Sequence, residues 1–175
     1  MKRNLLIAGA LLLPIIIAGC VLTTGTKVFS IELSGWTNIP SQMQWRYIDV
    51  ADESSDYDDN KDKIKSVDEV VLVGDIINTS AGDAHSTIYI SDNLYSTASQ
   101  VETAGNSTVV FESPTITAGD SLHINWSDAL AHIQNLPELK NQLLGDGQFY
   151  VYSIQSNGSS VRYNLSMLIT ITAGS

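Results

Sequence analysis

Along most of the chain apolar residues recur at every second position, the period of a half-buried β-strand. Phe29, Ile31 and Leu33 share one phase between Lys27 and Leu33 and predict a first strand. Gly35 to Ser41, with Pro40, reads as a turn region. Gln44 to Val50 predicts a second strand, with Trp45 and Tyr47 on one side and Ile48 and Val50 on the other. Asp52 to Lys63 carries Asp52, Glu53, Asp56, Asp58, Asp59 and Asp62 with little apolar content and reads as a loop. Val67 to Ile77 is apolar in both phases, which predicts a central strand covered on both faces. Further strands are expected at His85–Ile90 and Thr108–Phe111, with a short edge strand at Gln100–Thr103. Leu122, Ile124 and Trp126 predict another, with Trp126 in the core.

The period changes between Ser127 and Leu144. Leu130, Ile133, Leu136, Leu139 and Leu143 stand at helical spacing, Ser127 is a candidate cap, and Pro137 divides the segment because proline suits a first helical turn. Gly145-Asp146-Gly147 ends it. Gln148–Gln155 and Ser160–Thr172 then flank Ser156-Asn157-Gly158-Ser159. Asn-Gly between apolar runs favours a type I′ hairpin, which would place Tyr152 opposite Tyr163 and Tyr150 opposite Leu165. About eight short strands, one short helical insert and no βαβ alternation predict an antiparallel β-sandwich of Ig-like or jelly-roll type.

The first twenty residues follow a different rule. Lys2 and Arg3 precede an apolar run from Leu5 to Ala18, which closes on Ile17-Ala18-Gly19-Cys20. Fourteen residues of helix rise roughly 21 Å, short of the roughly 30 Å of a hydrocarbon core, so the run reads as a leader and not a span. The four-residue motif resembles the lipobox of bacterial lipoproteins. The resemblance implies that residues 1–19 are a signal peptide and that the Cys20 thiol receives a diacylglycerol. It also implies further acylation, as with palmitate, of the new amine. Two or more acyl chains anchor stably where one does not. Val21, where an aspartate would favour inner-membrane retention, makes the outer membrane the expected site in a Gram-negative envelope. Residues 20–26 then form a tether of at most roughly 20 Å, and residues 27–175 a single domain.

Cys20 is the single cysteine, so with its sulfur modified no thiol remains for a disulfide, a metal or a nucleophile. The net charge of −10 becomes −12 once Lys2 and Arg3 leave with the leader. That balance argues against nucleic acid as a partner and leaves the lipid to hold the chain at the membrane. Five Asn-x-Ser/Thr sequons, at Asn78, Asn106, Asn125, Asn157 and Asn164, beside a bacterial leader read as a polar β surface.

Candidate chemistry is sparse. Asp56, Asp58, Asn60 and Asp62 stand two apart, as oxygen ligands do in Ca²⁺ loops, although Lys61 and Val67 occupy the positions of the turn glycine and the bidentate glutamate of an EF-hand. His85, His123 and His132 form no zinc motif, and no GxSxG, P-loop or GxGxxG occurs. Trp36 and Trp45 flank a proline-containing turn and are the candidates for an exposed stacking platform. The expected role is non-enzymatic: a lipid-anchored envelope protein that binds a partner protein or supports an assembly. The alternative is a carbohydrate- or surface-binding module, with Ca²⁺ as a possible requirement.

Overall fold

A computed structural model describes residues 24–39, 43–155 and 159–174. Nine strands are found among them: β1 (Thr24–Leu33), β2 (Thr37–Ile39), β3 (Met43–Asp49), β4 (Ile64–Asn78), β5 (Ser86–Ser91), β6 (Thr108–Glu112), β7 (Ser121–Ile124), β8 (Gln148–Gln155) and β9 (Val161–Gly174). They form two antiparallel sheets, one in the order β1-β9-β4-β7 and the other in the order β2-β3-β8-β5-β6. Four antiparallel pairs are nested along the chain: β1 with β9, β3 with β8, β4 with β7, and β5 with β6. This nesting, wound across two packed sheets, is the jelly-roll version of the β-sandwich.

The core lies between the sheets. Phe29, Ile31 and Leu33 of β1, Val70, Leu72 and Ile76 of β4, and Leu165, Met167 and Ile169 of β9 meet Ile88, Phe111, Phe149 and Val151 of the other sheet. Strict alternation in β9 explains its register against β4, since a slip of one residue would turn its whole apolar set outward. Val71 faces away from Leu72 yet is equally buried, so the expected two-sided burial of this strand is observed. Gly74 lets β4 approach β9. Its φ is +124°, and a Cβ there would lie 2.2 Å from the Asn164 carbonyl oxygen.

Several local expectations are corrected. β8 and β9 do not form a hairpin: β8 pairs with β3 and β5, β9 with β1 and β4, and the link between them crosses from one sheet to the other. Tyr152 therefore stands opposite Trp45 and Tyr89, not opposite Tyr163. An Asn-Gly dipeptide encodes a change of direction but not the partner that follows it. Asn157 and Gly158 themselves lie outside the described residues, as do Pro40, residues 1–19 and the tether as far as residue 23. β1 begins at Thr24, three residues before the predicted Lys27, because its pairing with the last turn of β9 runs to Thr24 opposite Gly174.

The acidic segment is not a loop. It forms helical turns at Val50–Glu53 and Ser55–Asp58 and a 3₁₀ turn at Lys61–Lys63. The side chains of Asp49 and Ser54 cap the first two, and buried Tyr57 anchors them through its hydroxyl to the Leu143 carbonyl at 2.8 Å. Gln100–Thr103 is helical as well, within Ala98–Thr103, where the Thr97 side chain caps the first turn and Val101 is fully buried. β7 stops at Ile124. Trp126 opens a helix, Trp126–His132, capped by Asn125 and not by Ser127, and Trp126 is exposed instead of core. Pro137 does divide the insert: a second helix, Leu136–Leu144, carries it in its first turn. Among the described residues no helix is long and apolar enough to cross a membrane.

Candidate functional site

β1 and β9 stop pairing at Leu33 and Leu165, although β9 extends back to Val161. The start of β9 thus pairs with β4 on one side and, among the described residues, with no strand on the other. The chain turns away at Gly35, whose φ of +73° favours glycine. Trp36 then folds back over the vacated ground. Its indole Nε1–H donates to the Leu33 carbonyl at 2.8 Å, and its ring lies 5.0 Å from that of Tyr163, centroid to centroid.

Around this pair is a pocket of about 440 Å³, within the range of small-molecule sites. Trp36 and Tyr163 form its apolar wall, and Gln44, Thr79, Ser160 and Arg162 add polar groups. Gln44 is held by its Nε2, which donates to the Val161 carbonyl at 3.1 Å. The Thr79 hydroxyl donates to the Ser160 carbonyl at 3.0 Å. Arg162 is exposed, and among the described residues its guanidinium has no ion-pair partner. Tyr163 offers the pocket its ring and not its hydroxyl. That hydroxyl is buried with those of Ser86 and Ser153, and burial pushes its pKa up to about 12 despite those hydrogen bonds. Among the described residues that line it there is no carboxylate, histidine or cysteine, and those present offer ring stacking, hydrogen bonds and one positive charge.

The structure separates the two tryptophans predicted to share a platform. Trp36 packs against the main core, whereas Trp45 belongs to a smaller cluster around Met43, Val101 and Tyr152. There Trp45 and Tyr47 both contact Tyr150, at centroid distances of 5.8 and 5.1 Å, and Tyr150 is followed by Tyr152 at 6.3 Å. Their planes are inclined by 61°, 53° and 32°, so the rings form a ridged ladder and not a flat tray. The Ala98–Thr103 helix covers one end of it through Val101 and Ala98, while Tyr47 stays 42% exposed at the other.

Asp56, Asp58, Asn60 and Asp62 are not brought together. Residues two apart on a helical turn point to opposite sides. Asp58 pairs with Lys61 at 2.7 Å. The Asn60 amide is engaged at both ends, accepting from Lys27 at 3.0 Å and donating to the Asp56 carbonyl at 2.6 Å. Among the described residues no three His, Cys, Asp or Glu side chains gather in a metal-binding group. His123 faces Asp75 at 2.8 Å on the surface, and His132 packs beside Phe111. Cys20 lies outside the described residues.

Sequence reasoning missed Gln44, Thr79, Ser160 and Arg162, which come from three distant parts of the chain. The one available signal was Arg162, the sole basic residue after Lys140.

No protein-family model matches this jelly-roll chain, and no curated protein sequence does. Among solved structures, a chain from desmodium yellow mottle tymovirus is similar at 13% identity and a TM-score of 0.39, over 87% of each chain. A likeness that loose carries no weight for function.

Proposed function

We propose that this chain is a lipid-anchored, non-enzymatic protein of the bacterial cell envelope, in the outer membrane where one exists, and that it binds a glycan in the pocket beside Trp36. Cys20 is the lipidated residue in this reading. The observation that carries it is the composition of the pocket: an aromatic wall ringed by an amide, the hydroxyls of Ser34, Thr79 and Ser160, and a guanidinium. A pyranose has the matching surfaces, an apolar C–H face to lie on an aromatic ring and a rim of hydroxyls to hydrogen-bond. In this reading the pocket works without calcium, since none of Asp56, Asp58, Asn60 and Asp62 lines it, and a chelator is expected to leave binding unchanged.

A second reading rests on the ladder of Trp45, Tyr47 and Tyr150. Half-buried aromatic rings that lead to the exposed Tyr47 on a sheet face suit a protein partner in an envelope assembly. A glycan array probed with the full-length chain separates the two. Binding lost in Trp36→Ala and kept in Trp45→Ala supports the pocket. A blank array, together with crosslinks in intact cells that vanish in Trp45→Ala, favours the assembly.

A further inference from the structure

We propose that the pocket beside Trp36 selects acidic saccharides, with Arg162 receiving the sugar carboxylate while the ring lies on the indole. This rests on the glycan reading above and adds the charge of the ligand to it.

The argument is one of charge placement. The chain has 19 acidic against 9 basic residues, yet the pocket is lined by one arginine and no carboxylate. Of the six other described basic side chains four are committed, and the remaining two, Lys63 and Lys65, do not line the pocket. Arg46 pairs with Glu53, Lys61 with Asp58, Lys27 donates to Asn60, and Lys140 to the Asp68 carbonyl. A second surface pocket, by contrast, carries Lys61 together with Asp62 and Asp146, so its charge is answered from within. Arg162 stands at the strand start where β9 has no β1 neighbour, and no described carboxylate is within ion-pair distance.

The chemistry of the group then narrows the ligand. A guanidinium presents a planar fork of donors that matches a carboxylate in two parallel hydrogen bonds. The indole N–H is spent on the Leu33 carbonyl, so Trp36 contributes a surface and not a donor. Gln44 has its Nε2 committed to Val161, which leaves its side-chain oxygen for a ligand hydroxyl. A ring with an apolar face, hydroxyls and one carboxylate meets every one of these groups. A neutral sugar leaves the guanidinium unanswered. The strongly negative remainder of the molecule also repels anions, so an acidic ligand gains only where this local charge is within reach.

The test is calorimetry on the full chain in detergent micelles. It uses trigalacturonic acid, its carboxyl-reduced neutral trisaccharide, and a panel of other uronic and sialic acid oligosaccharides. The expected result is that an acidic oligosaccharide binds and its reduced counterpart binds at least about tenfold more weakly. Arg162→Gln should remove that difference by weakening the acidic ligand alone, and Arg162→Lys should restore part of it. Arg162 is exposed, so both variants should keep the parental unfolding temperature, which checks that the fold is intact. Equal binding of acidic and reduced sugars, unaffected by Arg162→Gln, overturns this inference and leaves the glycan reading standing. No binding by any member, acidic or neutral, overturns both.

Discussion

The indole of Trp36 and the ring of Tyr163 lie 5.0 Å apart, inclined by 38°, at the place where β1 has left the sheet. The contact closes the end of the sandwich and makes the wall of the pocket at once. Trp36→Ala removes both. It is expected to lower unfolding free energy by about 2 kcal/mol, less than a fully buried tryptophan costs, because this one is half-buried. Urea denaturation measures the loss. Trp36→Phe keeps a ring but not the hydrogen bond to Leu33, and should recover about half of it.

Gly74 is required by the close approach of β4 and β9. Gly74→Ala would set a Cβ 2.2 Å from the Asn164 carbonyl, in a backbone conformation with φ of +124°. The expected cost is about 3 kcal/mol. Gly25→Ala, with nothing within 4 Å of its Cβ, should change stability by less than about 0.5 kcal/mol. Similar unfolding midpoints for the two variants would contradict this register.

Asn78, one of the five sequons, is buried and not part of the polar surface. Its Nδ2 donates to the carbonyls of Gly82, Ile116 and Thr117, at 2.8, 2.9 and 3.1 Å, and its Oδ1 accepts from the backbone N–H of Ser80 at 2.9 Å. It ties the end of β4 to the loop before β7. Asn78→Ala leaves those carbonyls without this donor and should cost about 3 kcal/mol. Asn78→Asp should be worse, since it sets a carboxylate against the same carbonyl oxygens. Thermal unfolding of both variants gives the ranking.

Stability should fall in strong alkali. The Tyr163 hydroxyl ionises near 10.0 in an unfolded chain and at about 12 when folded, raised by burial. The Tyr152 hydroxyl is likewise pushed up to about 12 by burial. Between those values the unfolded chain sheds protons that the folded chain keeps. Their stabilising contribution is therefore complete below about pH 10 and lost as the pH rises to about 12. Urea midpoints measured from pH 8 upward should decline, and Tyr163→Phe should flatten the decline at a cost near 1 kcal/mol at neutral pH. An unchanged slope in the double variant carrying Tyr152→Phe and Tyr163→Phe would refute the assignment.

Cys20→Ser tests the anchor. In a bacterial host the parent chain should incorporate labelled palmitate and begin at residue 20 by mass spectrometry. The variant should incorporate none. A parent chain that retains Met1 and takes up no label would remove the lipoprotein reading.

The alternation in β1 and β9 was legible because burying one face of a sheet requires it, and the run in β4 that is apolar in both phases because a strand covered on both faces requires that, whatever the strand's partner. The division of the helical insert at Pro137 was legible for the same kind of reason, a missing N–H acting within one turn. The acidic segment misled because its low apolar content was read as a loop, when the side chains of Asp49 and Ser54 each cap a helical turn. Gln100–Thr103 misled because four residues carry too little periodicity to separate a strand from one turn of helix.

Periodicity and local backbone chemistry were enough to define an antiparallel β-sandwich and the residues that would face its core. Which strands become neighbours is set largely by pairings between distant parts of the chain, such as Phe29 with Ile169 and Tyr47 with Tyr150, and no short window contains them. The nested pairing that puts β9 beside β1, and the pocket that gathers Trp36, Gln44, Thr79 and Arg162 where that pairing stops, therefore belong to the folded molecule alone.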